Sequence, residues 1–242
     1  MIDITPAFTA LTPNMHPGAR QEWIEALTPA MQSGGIVTAK RAAMFLGQCA
    51  VESGCFERLV EDMWYLSAER IHEVYPITIP TIEEARHFVN APELLANRVY
   101  NGKLGNTAAD DGWRFRGRGL IQITGRQTYH DCWQAIAPET DFETVFPDLL
   151  TAPRHAALSA VWFWGWSHHG AVNALADAWR IGDVTRIVNG GNGELAERVA
   201  ACGHALTALV SHPAAASVQV AAKPVTADDL NAAELSTITQ GA

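Results

Sequence analysis

Ala42, Phe45, Leu46 and Cys49 recur at the spacing of one helical face, and the next position on that line is an acid, Glu52. The spacing predicts a helix over 38–52 whose apolar stripe must be buried against other elements, so the fold has to accommodate a carboxyl group at the end of it. Desolvation and the negative pole of the helix C-terminus both penalise the ionised form there, which suits the group to donate a proton. Ser53-Gly54 supplies the stop, with Gly54 able to take the left-handed cap conformation. The chain then turns into Cys55-Phe56-Glu57-Arg58-Leu59-Val60-Glu61-Asp62, which brings a second carboxylate back toward the first.

Helical patterns dominate the remaining chain, over 18–31, 67–74, 81–89, 92–100, 127–136, 153–168, 183–188 and 194–210. Ser67 and Thr81 read as hydroxyl caps followed by acids, and Pro153 opens a helix after Thr151. β-prone pieces are limited to 63–65 and 120–124, enough for a small hairpin or sheet. The fold class is therefore mainly α with a small β element. The polar, glycine-bearing stretch 100–112 is a long loop expected to border a cleft. Residues 1–212 read as one domain. Beyond them the alanine-rich stretch 213–242 has few large apolar residues and reads as a flexible tail.

A net charge of −9 argues against nucleic acid as a partner, because phosphate binding needs a basic surface. No apolar run is long enough to cross a bilayer, so membrane insertion is not expected. The first residues lack the basic and then apolar run of a secretory signal, and the expectation is accumulation in the cytoplasm unless another machinery exports the protein. Four scattered cysteines, Cys49, Cys55, Cys132 and Cys202, form neither a CxxC pair nor a zinc-spaced cluster, so reduced thiols are expected, with no metal and no cofactor.

Paired carboxylates are the minimum equipment for glycoside hydrolysis: a neutral acid protonates the leaving oxygen while an ionised partner activates water or attacks the sugar. Glu52 fits the acid and Glu61 the base, with Glu57, Asp62, Glu69 and Glu73 competing for the second role. Gln122 and Thr124 stand two apart, which on a strand puts both on one face, as an amide and a hydroxyl able to hold sugar hydroxyls and a water. A plain hairpin with buried glycines explains the same residues. Arg114, Arg116, Arg118 and Arg126 are either a solvated basic face or partners of nearby carboxylates. Trp162, Phe163, Trp164 and Trp166 read as core, whereas Trp64-Tyr65 and Trp113 are better candidates for sugar platforms. Asn189-Gly190-Gly191 reads as a helix cap or as a sugar-contacting loop.

Four pieces stand in the order known from one enzyme family. They are Gln48-Cys49-Ala50-Val51-Glu52-Ser53-Gly54-Cys55-Phe56, then Val60-Glu61-Asp62, then Tyr100-Asn101-Gly102-Lys103-Leu104-Gly105-Asn106 through Phe115-Arg116-Gly117-Arg118-Gly119-Leu120-Ile121-Gln122-Ile123-Thr124-Gly125-Arg126, and last Asn189-Gly190-Gly191. Over about residues 15 to 210 the chain resembles glycoside hydrolase family 19, the plant-type chitinases, and within it the phage endolysin branch. The resemblance implies a lysozyme-like, two-lobed helical domain that hydrolyses β-1,4 bonds of N-acetylated sugar polymers with inversion. It places the acid at Glu52, the base at Glu61 and the water-positioning hydroxyl at Thr124. It puts Gln122 and Asn189 on the substrate side, and Tyr65, Trp113 and Arg118 are expected there beside them. Two positions depart from the family pattern: Thr128 stands before Tyr129 in place of an asparagine, and Cys55 replaces a glycine.

The expected function is that of an endolysin cutting the glycan strands of bacterial peptidoglycan as a monomer, held in the host cytoplasm until a holin opens the membrane. A chitinase and a non-catalytic wall-binding module are the alternatives.

Overall fold

The computed structural model describes residues 2–139, 141–142, 147–165 and 171–212. Trp166 and the 213–242 tail lie outside them. Among the described residues twelve α-helices follow one another: α1 (Thr5–Leu11), α2 (Pro17–Ser33), α3 (Ala39–Glu52), α4 (Ala68–Val74), α5 (Ile82–Ala85), α6 (Pro92–Tyr100), α7 (Asp111–Arg114), α8 (Arg126–Ile136), α9 (Pro153–Gly165), α10 (Ala171–Asp177), α11 (Ile181–Asn189) and α12 (Leu195–Ser211). The expected hydroxyl caps are present: Ser67 accepts from the Arg70 amide and Thr81 from that of Glu84. Three short helices, α1, α7 and α10, carry too few residues for periodicity to reveal them. Among the described residues no helix is long and apolar enough to cross a membrane.

Two lobes have separate apolar cores. In the larger, α3 packs against α1, α10, α11 and α12, and its residues 42–50 are all buried. What reads in the sequence as a stripe is a helix enclosed on every side, and each large side chain so enclosed contributes roughly 1.5–3 kcal/mol. Close packing fixes Gly47: a Cβ there would lie 2.6 Å from Cys202 Sγ and 2.7 Å from the Cys202 amide nitrogen, so α3 and α12 touch backbone to side chain. The smaller core gathers Met63, Ala68, Ile71, Ile79, Ala85, Leu95, Ala96 and Val99. A third cluster, around Phe115, Tyr129, Trp133 and Trp162, lies under α8 and α9. Trp162 and Trp164 are buried, in agreement with the core reading.

Among the described residues the small β element consists of two isolated antiparallel bridges, Val60 with Arg118 and Arg118 with Ile123. The expected strand over 120–124 is corrected: residues 119–122 form a turn closed by mutual bonds between Arg118 and Ile123, and Gln122 adopts φ 54°. Buried Gly117 and Gly119 flank Arg118, as in the hairpin alternative.

Candidate active site

The end of α3 builds the first wall. Ser53 caps it with its side-chain oxygen donating to Cys49 O at 2.6 Å and accepting from the Phe56 amide at 3.0 Å. Gly54, Cys55 and Phe56 then all take left-handed φ, at 56°, 60° and 69°. Two side-chain-bearing residues in that region cost free energy, and the anchor for the turn is the Phe56 ring, edge-on to Phe8 and Trp23. Glu52 is thereby pinned at the surface of the large lobe with 17% of its side chain exposed.

The sequence placed this carboxyl in apolar surroundings; the structure corrects that. Arg198, buried on α12, donates from Nη2 to Glu52 Oε1 at 2.7 Å, from Nη1 to Gln48 Oε1 at 2.7 Å and from Nε to Gly193 O at 3.0 Å. Gln48 in turn donates to Thr185 Oγ1 at 3.1 Å. The network fixes Oε1 and leaves Oε2 without a hydrogen-bond partner among the described residues, so Oε2 is the oxygen open to a substrate. Cys49, one turn before, is no nucleophile: burial, with Glu52 adding to it, pushes its thiol far up.

Glu61 lies where the chain leaves the large core, after Leu59, and enters the small one at Met63. Its amide donates to Gly117 O at 2.8 Å, and the Gly117 amide returns a bond to Oε2 at 3.1 Å. Tyr100, the last residue of α6, donates its phenol to Oε1 at 2.6 Å. Burial and the Glu61 carboxylate push the Tyr100 phenol upward, so it remains a donor at neutral pH. Neutral donors on both oxygens orient the carboxylate without an ion pair. Asp62, by contrast, is exposed and spends Oδ1 on the amide of Trp64 at 2.8 Å, closing a local turn. Geometry therefore favours Glu61 over Asp62 as the carboxylate held in a fixed orientation.

The remaining expected residues divide. A Cβ on Gly117 would fall 2.4 Å from Gln122 Oε1 and 3.3 Å from Glu61 Oε2, so Gln122 and Glu61 face the same space over that glycine. Thr124 donates to Gln122 O at 2.9 Å and makes no hydrogen bond to either acid. Asn189 donates to Gly193 O at 3.3 Å, the carbonyl that also holds Arg198, which puts it beside Glu52 rather than Glu61. Tyr65 turns its hydroxyl to Tyr75 at 3.4 Å and packs on the small core, while neighbouring Trp64 is 56% exposed. Trp113 has one face covered by the Arg116 guanidinium, 3.6 Å from the ring centroid. Arg118 as a substrate contact is corrected: its side chain is 4% exposed, paired with Asp148 at 2.7 Å and bonded to Arg114 O, Arg116 O and the Tyr129 hydroxyl.

The loop over 100–112 is tied down by its own polar side chains. Asn101 bonds the Gly112 amide and Ala109 O, Asn106 bonds the Arg126 amide and Tyr100 O, and buried Asp111 pairs with Arg126 at 2.6 Å. This bracing sets the position of Tyr100. Sequence reasoning missed Arg198, Gln48 and Tyr100. Arg198 had a signal equal to that of Glu52, since it falls on the buried line Arg198, Cys202, Ala205, Leu209 of α12. Among the described residues no group of three or more His, Cys, Asp and Glu side chains comes together as a metal site.

No family model matches the chain. A Haemophilus influenzae protein described as a glycosyl hydrolase family 19 domain-containing protein is 34% identical over 176 residues, 72% of this chain and 82% of that relative. Among solved structures, chitinase C from Streptomyces griseus HUT6037 superposes with a TM-score of 0.54 at 15% identity, over 86% of this chain and 94% of that one. A mutant of chitinase C gives 0.52 at 16%, over 84% and 75%. At those identities the two structures show a shared fold, the lysozyme-like helical fold of chitinases. The sequence relationship goes further: by its identity to the Haemophilus protein over most of both lengths, the chain belongs to glycoside hydrolase family 19 and is a glycosidase with a chitinase-like fold.

Proposed function

We propose that this protein is an endolysin that hydrolyses the β-1,4 glycosidic bonds of bacterial peptidoglycan by an inverting mechanism. Glu52 acts as the acid, protonating the leaving oxygen from Oε2. Glu61 acts as the base, drawing a proton from a water that attacks the anomeric carbon from the opposite side, with the Thr124 hydroxyl helping to place that water. The observation that carries this reading is geometric: Arg198 holds Glu52 by Oε1 and leaves Oε2 without a partner among the described residues, while Glu61 is oriented on both oxygens by Tyr100 and Gly117. Gln122, facing Glu61, and Asn189, near Glu52, are the substrate-side amides. The four free thiols suit a stay in a reducing cytoplasm before a holin gives access to the wall.

The second reading is hydrolysis of chitin, favoured by the likeness to chitinase C structures. Purified peptidoglycan and colloidal chitin assayed in parallel rank the two polymers, and mass spectrometry of released muropeptides identifies the bond cut. Glu52→Gln is expected to abolish release of reducing ends while sedimentation with the wall persists. Equal activity in that variant refutes the acid assignment.

A further inference from the structure

Three of the arginines around the site are committed to carboxylates. Arg118 pairs with Asp148 at 2.7 Å, Arg126 with Asp111 at 2.6 Å and Arg198 with Glu52 at 2.7 Å. Arg116 has no carboxylate within ion-pair distance among the described residues. Its one side-chain hydrogen bond runs from Nη1 to Trp113 O at 3.0 Å, its Nε is buried without a partner, and Nη2 has none either. The guanidinium carbon sits 3.6 Å from the centroid of the Trp113 ring, which with the Trp113 O bond fixes its position in advance. A half-buried cation with unmet donors costs free energy, and the neighbouring Arg118 charge raises that cost. Burial and Arg118 together pull the Arg116 pKa below its ordinary value, outweighing the Asp148, Tyr129 and Glu61 charges that raise it.

Position gives this charge a purpose. The peptide unit following Arg116 is the one whose N–H holds Glu61 Oε2 at 3.1 Å, and the Glu61 charge acts on the Arg116 guanidinium, so the arginine belongs to the base's side of the site. We propose that Arg116 is a specificity-determining residue: its planar fork binds a carboxylate carried by the peptidoglycan strand while the neighbouring glycosidic bond is presented to Glu61 and Glu52. The inference rests on the peptidoglycan reading above and deepens it. A polymer of N-acetylglucosamine alone carries no carboxylate. Peptidoglycan does, either on the lactyl ether of every second sugar where the peptide has been removed, or on the peptide stem where it has not. Arginine matches the geometry of such a group with two parallel N–H bonds. It also places a positive charge where a chain of net charge −9 meets an anionic polymer.

The test compares kcat/KM on four preparations: amidase-stripped glycan strands, the same strands with their lactyl carboxyls converted to amides, intact peptidoglycan, and intact peptidoglycan amidated in the same way. The wild-type protein is expected to favour a carboxylate-bearing preparation over its amidated form by about tenfold to a hundredfold. Arg116→Gln is expected to erase that preference, and Arg116→Lys to keep part of it. A preference confined to stripped strands identifies the lactyl carboxylate, and one confined to intact peptidoglycan identifies the stem. If the wild type cleaves carboxylated and amidated forms equally, the inference is overturned even if the glutamine variant does not fold. An equal loss on all four preparations in Arg116→Gln also overturns it, since the arginine then acts only through Glu61 or the fold. Cleavage of N-acetylglucosamine oligomers without cleavage of any peptidoglycan form is a different result: it removes the peptidoglycan reading itself and shows in the wild type alone.

Discussion

Tyr100→Phe removes one oxygen atom and, with it, the 2.6 Å hydrogen bond to Glu61 Oε1, while the Gly117 amide continues to hold Oε2 at 3.1 Å. The phenylalanine ring keeps the apolar packing of Tyr100 on the small core, so the substitution separates orientation of the base from integrity of the lobe. A short bond from a neutral donor to a charged acceptor contributes about 1.5–3 kcal/mol. If that energy holds the base in line with the attacking water, its loss raises the barrier by a comparable amount. At about 1.4 kcal/mol per decade, kcat falls roughly tenfold to a hundredfold. KM is expected to stay put, because Glu61 engages water rather than the sugar chain. The assay is steady-state release of reducing ends from soluble glycan strands, accompanied by the thermal midpoint of the variant. An unchanged kcat at an unchanged midpoint refutes the positioning role, and so does a rise in KM that accounts for the whole loss.

Cys55→Gly relieves an exposed side chain at φ 60°, where an L-residue costs about 1–2 kcal/mol and glycine gives back roughly half of that as extra freedom in the unfolded chain. The thermal midpoint should rise by a few degrees, about 2–4 °C per kcal/mol for a domain of this size, and a fall would show that the thiol makes a contact worth more than the strain. Asp111 governs part of the acid stability. Burial pushes its carboxyl upward, but the Arg126 hydrogen bond and the amides of Ala108 and Thr107 pull it lower overall, below the usual carboxylate range. A depressed native value stabilises the fold above the unfolded value of about 3.9, and the contribution is lost as the pH falls through the native value. Urea midpoints of wild type and Asp111→Asn should therefore differ at neutral pH and converge below about pH 4, and a constant gap contradicts this.

The parts of the site legible in the sequence are those carried by local rules. The stripe ending at Glu52 and the Ser53-Gly54 stop appear because helical period and cap chemistry act within a few residues. The return of Glu61 follows from the turn they make. Arg198 lies 146 residues from Glu52 and Tyr100 lies 39 from Glu61, and no local rule pairs them. The charge on the α12 stripe was nonetheless visible and had the same meaning as the charge on α3. The spacing of Gln122 and Thr124 fits period two and so suggests one strand face. The turn closed by Arg118 and Ile123 prevailed, since Gln122 takes a left-handed conformation that a strand cannot contain. Arg118 looked available because its neighbours are polar and glycine-rich, yet those same glycines let the chain fold over it and bury it.

The anomeric configuration of the first product tests the central claim most directly. Two carboxyls working on opposite sides of the sugar through a water molecule give inversion, so proton NMR within the first turnovers on β-1,4-linked strands should show the α-anomer before mutarotation. Initial appearance of the β-anomer means a covalent glycosyl intermediate, and contradicts a Glu61 that acts on water.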